Sequence, residues 1–346
     1  MIELLKAVRV LGLRPMLRLS RARRLGWEGI ISGFHTTRAM QALFNVGFFD
    51  EVQKQGVINV ASFAKSKHLD ARILQSLCDA LFSLSILTKH GADYALDAKG
   101  KLLVEEARGW FDGVYGYEEI FHCLEALLTG EKAYGKDVKK RADFVAKGSE
   151  AIEQRLYFPL AIDIIARNGF KKVLDLGCGE GTFLRRLCEN NPEMTGYGID
   201  IAPDIIAYGK EHVVQAGLQQ RIHLFVEDIA RIEKLPEPWQ CIDVATAFFI
   251  LHELLFAGVD PVIELLQNFR TVFAGVPLIV FETIRPTPEE MRSKPRMGIQ
   301  YFLQHDLSEQ RPVSREEWRK LFKMAGCSSI EERYLRFART AIFTLR

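Results

Sequence analysis

One segment constrains the fold more than any other: an apolar run, three glycines at alternate positions and a helical stretch. Val173-Leu-Asp-Leu176 is followed by Gly177-Cys-Gly-Glu-Gly181, and a helical stretch from Thr182 to Cys188 comes next. Glycines at such a place let the backbone approach a ligand closely, beside the N-terminus of the following helix. The order of strand, glycine loop and helix therefore predicts the opening of a doubly wound parallel α/β sheet.

Acidic residues follow the next two predicted strands. Thr195-Gly-Tyr-Gly-Ile199 ends in Asp200, and Ile222-His-Leu-Phe-Val226 is followed by Glu227 and Asp228. An acid in the place of Asp200 can accept hydrogen bonds from a ribose diol, and Asp228 can accept from an adenine amino group. The glycine spacing is not G-x-G-x-x-G, and Asp175 would repel a dinucleotide pyrophosphate. The acidic rim therefore favours S-adenosylmethionine, which is cationic, over NAD.

Composition excludes several other classes of protein. The 346 residues are 48% hydrophobic and 26% charged with a formal net charge of +2, which predicts a soluble chain of roughly two domains and no nucleic-acid partner. The six cysteines include no C-x-x-C pair, so neither a zinc ribbon nor a disulfide framework is indicated. No apolar run approaches the ~20 residues that span a bilayer, and no secretory signal is evident. We expect a cytoplasmic protein without stable membrane association.

The N-terminal part is predicted to be mainly helical. The first 24 residues form a basic amphipathic stretch, which we interpret as a solvated helix. Residues 70–84 have the pattern of a helix capped by Asp70, and residues 86–96 that of a two-stranded wing. This outline is that of a winged helix, but Arg72 is the only base on its candidate recognition helix. We therefore expect it to serve structure or dimerisation rather than DNA binding.

The segment Val173 to Thr182 resembles the first motif of the class I S-adenosylmethionine-dependent methyltransferases. The helical N-terminal part extends the resemblance to the small-molecule O-methyltransferases. The resemblance implies a seven-stranded Rossmann-like sheet in residues 169–346, a winged-helix dimerisation and lid domain in residues 1–168, a homodimer and a small-molecule substrate. The cofactor site that it implies consists of Asp175, Gly177, Gly179, Gly181, Asp200, Asp228, Ile229 and Phe248.

A candidate acceptor site follows the fourth predicted strand, Ile242 to Phe249, where Ile250-Leu leads to His252 and Glu253. Parallel sheets bind ligands at the carboxyl ends of their strands. The His-acid pair resembles the catalytic base of the O-methyltransferases, which implies that His252 deprotonates a hydroxyl acceptor. Two departures from the family pattern weaken the assignment of this role to His252. The usual Trp after the pair is replaced by Leu254, and the helper acid before the final helix is missing. Glu282, which ends the fifth predicted strand, is a further catalytic candidate.

His305 is a second imidazole expected at the same edge of the sheet. The pair of His252 and His305 is similar to the metal-binding α-keto-acid C-methyltransferases, which implies a divalent or ferric ion, iron or zinc. In that family the metal stabilises the enolate of a chelated α-keto acid, so that C3 becomes nucleophilic without a strong protein base. We prefer this C-methylation over O-methylation.

Two further hypotheses remain open. A prenyl diphosphate acceptor would need an acidic cluster for magnesium and several basic residues, neither of which the sequence locates. A catalytically inactive binding protein of the same fold is disfavoured by the intact motif. Arg285, or Arg296 with Lys294, could pair with an acceptor carboxylate.

Overall fold

The computed structural model describes residue 6 and residues 9–234, 241–293 and 299–346. Contacts between Cα atoms divide the chain into two compact units. We call Met1–Gly116 with Arg141–Ala151 the N-terminal unit, and Tyr117–Lys140 with Ile152–Arg346 the sheet unit. The single boundary predicted at residue 168 stays a prediction.

The N-terminal unit is mainly helical and has one small antiparallel sheet. Its strands are arranged in the order β1-β3-β2. The elements are α1 (Leu13–Arg24), α2 (Trp27–Asn45), α3 (Phe48–Gln55), β1 (Ile58–Asn59), α4 (Val60–Ser66), α5 (Ala71–Ser83), β2 (Leu87–His90), β3 (Asp93–Leu96), α6 (Ala98–Glu106), α7 (Arg108–Gly116) and the first part of α10 (Ala142–Leu156).

The predicted order of helix, helix and hairpin is present as α4, α5 and the pair β2–β3. The Asp70 carboxylate caps α5 by accepting hydrogen bonds from the backbone N–H groups of Arg72 and Ile73. Leu74 and Leu81 of α5 are buried as predicted, but Ile73 is half exposed, so the apolar stripe is narrower than its spacing predicts. That this region is a dimerising winged helix stays a prediction.

The sheet unit contains a seven-stranded sheet in the order β6-β5-β4-β7-β8-β10-β9. The first five strands run parallel, and β10 pairs antiparallel with β8 and β9. The strands are β4 (Lys172–Leu176), β5 (Thr195–Asp200), β6 (Ile222–Val226), β7 (Val244–Phe248), β8 (Leu278–Thr283), β9 (Ile330–Leu335) and β10 (Thr340–Leu345). This sheet confirms the predicted fold class.

Helices connect the strands of the sheet unit. Short 3-10 helices cover Ile229–Lys234 and Leu255–Ala257. The α-helices are α8 (Glu118–His122), α9 (Leu124–Thr129), the end of α10, α11 (Phe158–Arg167), α12 (Thr182–Asn190), α13 (Pro203–Gln215), α14 (Leu251–Leu254), α15 (Asp260–Val272), α16 (Pro288–Ser293), α17 (Ile299–Leu307) and α18 (Arg315–Met324).

Both faces of the sheet are buried, as the apolar central strands require. In β8, Leu278 and Val280 join one buried apolar cluster, whereas Ile279 and Phe281 join another. Successive side chains of a strand point to opposite faces, so a strand covered on both sides must be apolar throughout. Glu282 is the charged residue of β8 and is fully buried. A carboxylate in such a strand needs polar partners.

None of the described helices is long and apolar enough to cross a membrane.

Candidate active site

The glycine loop joins β4 to α12 at the carboxyl end of the parallel strands. Gly177, Gly179 and Gly181 all have a positive φ, between 54° and 76°, which L residues with a side chain rarely adopt. A Cβ atom on Gly181 would also lie 3.0 Å from the side chain of Leu224. These positions therefore require glycine for their backbone conformation, as the motif predicts.

Asp200 closes this loop against the end of β5. One of its carboxylate oxygens accepts a hydrogen bond from the N–H of Gly179 at 3.0 Å, and the other accepts from the N–H of Ala202 at 2.9 Å. The carbonyl of Ile199 accepts from Gly177 and Cys178. An ionised carboxylate has about four acceptor positions, so Asp200 retains the capacity to accept from a ribose diol.

Asp175 lies within β4, not at the rim where the acidic pattern suggested. It is buried, and Thr246 on the neighbouring strand β7 donates a hydrogen bond to its carboxylate at 2.7 Å. Burial raises the pKa of Asp175 to about 7, since the bond from Thr246 and the repulsion from Asp200 are smaller influences. The carboxyl can therefore change its charge when a cation binds near it.

The remaining predicted cofactor residues follow β6 and end β7. The Asp228 carboxylate is partly exposed and accepts from the N–H of Ala230, which caps the 3-10 helix after β6. Ile229 is buried beside it. Phe248 stacks on Phe281 with ring centroids 4.7 Å apart. These contacts give Asp228 and Phe248 fixed positions at the carboxyl ends of their strands.

His252 lies at the start of α14, just after β7, and Glu282 holds it in place. One Glu282 oxygen accepts from the backbone N–H groups of Leu251 and His252, and the other is 2.8 Å from His252 Nδ1. Burial lowers the pKa of His252, but the Glu282 carboxylate outweighs burial and leaves the pKa raised. Because the carboxylate accepts from Nδ1–H, Nε2 is the free atom of the neutral ring.

The turn before His252 is strained. Phe249 has a φ of 52°, a left-handed conformation that is uncommon for an aromatic residue. Its N–H donates to the carbonyl of Phe281 at 2.9 Å. The side chain of Ile250, the next residue, lies 3.3 Å from where a Cβ of Gly177 would be. The turn that presents His252 therefore packs directly on the glycine loop.

His305 lies on α17 with its ring 5.2 Å from that of His252, measured between centroids. Its Nδ1 is 2.7 Å from the carbonyl oxygen of Tyr301, which can only accept, and the Tyr301 ring stacks on it at 3.8 Å. Burial, with repulsion from His252, lowers the pKa of His305 to about 3. His305 is therefore neutral near pH 7, with a lone pair on Nε2.

The structure adds a polar network around Glu253. Its carboxylate accepts a hydrogen bond from Gln310 Nε2 and lies 3.4 Å from Lys140 Nζ. The other amide atom of Gln310, Oε1, accepts from Tyr117 and Ser308 at 3.2 Å each. Lys140 and Gln310 were not predicted as site residues, because Lys140 precedes Glu253 by more than a hundred residues and carries no motif.

The cations predicted to bind an acceptor carboxylate are differently placed. The Arg285 guanidinium donates to the Asp306 carboxylate and to the carbonyl of Pro312. Lys294 and Arg296 lie outside the described residues. Across the described ranges, no group of three or more His, Cys, Asp or Glu side chains could hold a metal ion. Within those ranges, no third side chain of these types joins the two histidines in a group that could hold a metal ion.

Comparison with known proteins gives a family and a curated relative. Residues 168–326 match a methyltransferase domain. The chain is 28% identical over 312 residues to the 2-ketoarginine methyltransferase of Streptomyces arginensis, and the alignment covers 88% of each chain.

Solved structures share the architecture. The mitomycin 7-O-methyltransferase MmcR is 16% identical with a TM-score of 0.68, and the match covers 95% of this chain and 99% of that one. PigF with SAH is 16% identical with a TM-score of 0.70, covering 93% and 99%. At these identities the likeness shows the fold. The matched domain, the curated relative and this fold together identify the chain as an S-adenosylmethionine-dependent methyltransferase that acts on small molecules.

Proposed function

We propose that the chain transfers the methyl group of S-adenosylmethionine to the β-carbon of an α-keto acid. The β-carbon loses a proton as the enolate forms, and breakage of the S–CH3 bond leaves S-adenosylhomocysteine. The observation that carries this proposal is the pair of His252 and His305, whose rings lie 5.2 Å apart with Nδ1 of each held by an acceptor. The 2-ketoarginine methyltransferase, similar over 88% of both chains, supports the same substrate class.

The two histidines fit a metal ion that takes its other ligands from substrate and water. Histidines that bind metals usually donate their second N–H to a carboxylate or a carbonyl, and here Glu282 and the Tyr301 carbonyl occupy those positions. The ring centroids lie 5.2 Å apart, and one ion bound by both Nε2 atoms at about 2.1 Å requires these two atoms to lie within about 4.2 Å of each other. When bound there, the ion would act as a Lewis acid on a chelating α-keto acid.

The protein's own groups orient the reactants. Glu282 fixes the tautomer and the direction of the His252 ring, and the stacked Tyr301 does so for His305. The glycine loop, with Asp200 and Asp228, would bind the cofactor at the same edge of the sheet, together with the other predicted cofactor residues. We assign Glu282 a positioning role, because its oxygens are occupied by His252 and the α14 backbone.

The second candidate is O-methylation with His252 as general base. It is favoured by the buried 2.8 Å contact between His252 and Glu282, which supports a proton on the ring during the reaction. In this reaction His305 would have no chemical role. The two candidates therefore differ in what His305 contributes.

The test measures methyl transfer from S-adenosylmethionine to a panel of acceptors. The amount of S-adenosylhomocysteine released reports the turnover of each acceptor. The panel contains α-keto acids, including 2-ketoarginine, and phenols of similar size. We expect turnover of at least one α-keto acid, abolished by chelation and restored by added iron or zinc. Turnover of phenols alone, insensitive to chelators, would overturn this proposal in favour of O-methylation.

We also propose that the N-terminal unit, with a winged-helix arrangement, forms a homodimer. Leu25, Ile30 and Phe34 are more than two-thirds exposed. A groove of about 370 Å³, lined in part by Trp27 and Leu81, lies beside them. Contiguous apolar surface marks interaction sites, and these exposed apolar side chains lie within ten residues of one another in the chain. Sedimentation should give a dimer that Phe34→Asp weakens, and a monomer at micromolar concentration would contradict the proposal.

A further inference from the structure

Lys140 brings a positive charge to the edge of the acceptor site. Its Nζ is 3.4 Å from Glu253 Oε1, and only 22% of its side chain is exposed. Lysine side chains are mostly solvent-exposed, because their charge is strongly hydrated. A lysine whose side chain is mostly covered, and which pairs with the residue after His252, therefore requires an explanation in terms of what it contacts.

Side-chain contacts connect Lys140 to both histidines. Its partner Glu253 follows His252 in the chain and accepts a hydrogen bond from Gln310. The Gln310 amide oxygen accepts from Tyr117, whose ring centroid lies 6.2 Å from that of His305. An ammonium group in this network can interact with an anion bound beside the two rings. Arg285, the cation that the sequence suggested, is bound to Asp306 and Pro312.

Glu253 can release Lys140 without being left unpaired. Its carboxylate also accepts a hydrogen bond from Gln310, whose own side chain is held by Tyr117 and Ser308. The side chain of Glu253 is 43% exposed, so water can solvate it as well. A buried carboxylate without such partners would keep its cation, since an unpaired buried charge is costly.

We propose that Lys140 binds the carboxylate of the acceptor, exchanging its ion pair with Glu253 for one with the α-keto acid. This inference rests on the proposed function and adds its substrate-recognition residue. An ammonium placed there neutralises an anionic acceptor and orients its carboxylate end, so that the β-carbon faces the cofactor. Acceptors without a carboxylate gain nothing from Lys140.

The experiment compares Lys140→Met with wild type on an α-keto acid and on the matching α-keto amide. Charge-assisted hydrogen bonds predict a KM for the acid that rises about 10- to 100-fold, with kcat changed less than about threefold. The KM for the amide should stay unchanged. Lys139→Met, which removes the neighbouring exposed charge, is the matched control and should behave like wild type. Lys140→Arg should recover most of the affinity.

If Lys140→Met binds S-adenosylhomocysteine as tightly as wild type does, the variant is folded. If Lys140→Met does not fold, the same KM and kcat measurements are made on Lys140→Gln. An unchanged KM for the acid overturns the inference and leaves the proposed function standing. Equal rises for acid and amide also overturn it, because they indicate a structural role. If wild-type protein methylates no α-keto acid, the proposed function fails and this inference fails with it.

Discussion

The cofactor side and the acceptor side of the sheet unit are built in different ways. On the cofactor side, backbone conformation dominates: three glycines with positive φ, and Asp200 accepting from two backbone N–H groups. On the acceptor side, side chains from separate elements meet, with His252 after β7, Glu282 on β8 and His305 on α17.

This difference predicts different tolerance to change. A backbone site that is shaped by glycines depends on the conformation of the whole loop, so a substitution there disturbs the entire site. A site of converging side chains can change its acceptor through single substitutions, because each side chain is carried by its own element. The cofactor side should therefore respond to mutation in cofactor binding, and the acceptor side in turnover or in the KM for the acceptor, with cofactor binding unchanged.

The largest effect is expected at the two histidines. His252→Ala and His305→Ala should each lower kcat by about 10²- to 10⁴-fold, because each ring supplies one of two nitrogen atoms at the reaction site. Calorimetry should show unchanged binding of S-adenosylhomocysteine. His122→Ala, which changes an exposed histidine of the same unit, is the control. Activity of His305→Ala within threefold of wild type would assign catalysis to His252 alone.

Glu282→Gln should reduce kcat by about 10- to 100-fold, with the KM for the cofactor unchanged. The amide oxygen can still accept from the backbone N–H groups of α14, but the charge that holds the His252 ring is lost. Glu282→Ala should also lower the melting temperature, because it leaves buried N–H groups without an acceptor, at about 1–3 kcal/mol each. Equal melting temperatures for the two variants would argue against this role of Glu282.

Asp200→Ala should weaken cofactor binding about tenfold, since it removes a charged acceptor and loosens the glycine loop. The kcat at saturating cofactor should change little. Asp204→Ala removes an exposed carboxylate in the first turn of α13 and is the matched control. Cofactor affinity that survives Asp200→Ala unweakened, measured by calorimetry, would contradict the assignment of this side.

The smallest effect is a pH dependence at Asp175. The pKa of this carboxyl is 3.8 in the unfolded chain and about 7 in the folded protein. Between these pH values the folded protein keeps a proton on Asp175 that the unfolded chain has lost. Its contribution to folding stability therefore falls as pH rises between these values. A cationic cofactor favours the carboxylate, so affinity should rise up to about tenfold from pH 6 to pH 8.

Calorimetry in buffers of different ionisation enthalpy measures the proton released when the cofactor binds. Asp175→Asn keeps the side-chain volume and should lose the part of the pH dependence that comes from this carboxyl. If cofactor affinity has the same pH dependence in Asp175→Asn as in wild type, the charge of Asp175 does not affect cofactor binding.

The cofactor side was predictable because its signals are local. The glycines of the loop and the acids Asp200 and Asp228 lie next to strands with continuous apolar runs, and the order of such strands fixes one shared edge. The burial of Asp175 against Thr246 was not predictable, since that contact depends on which strand pairs with β4.

The acceptor side was predictable in its histidines and not in its surroundings. His252 follows a strand directly, and the family resemblance added His305 to it. Lys140 and Gln310 reach Glu253 from distant parts of the chain, and no spacing rule connects them. The occupation of Arg285 by Asp306 likewise depends on how α17 packs.

The most direct test of the central claim is the position of the transferred methyl group. S-adenosylmethionine labelled with ¹³C in its methyl group is incubated with an α-keto acid acceptor, and the product is examined by two-dimensional NMR. The proposal predicts a labelled methyl group coupled to C3 of the keto acid. A labelled methoxy group, or no transfer to any α-keto acid, would contradict it.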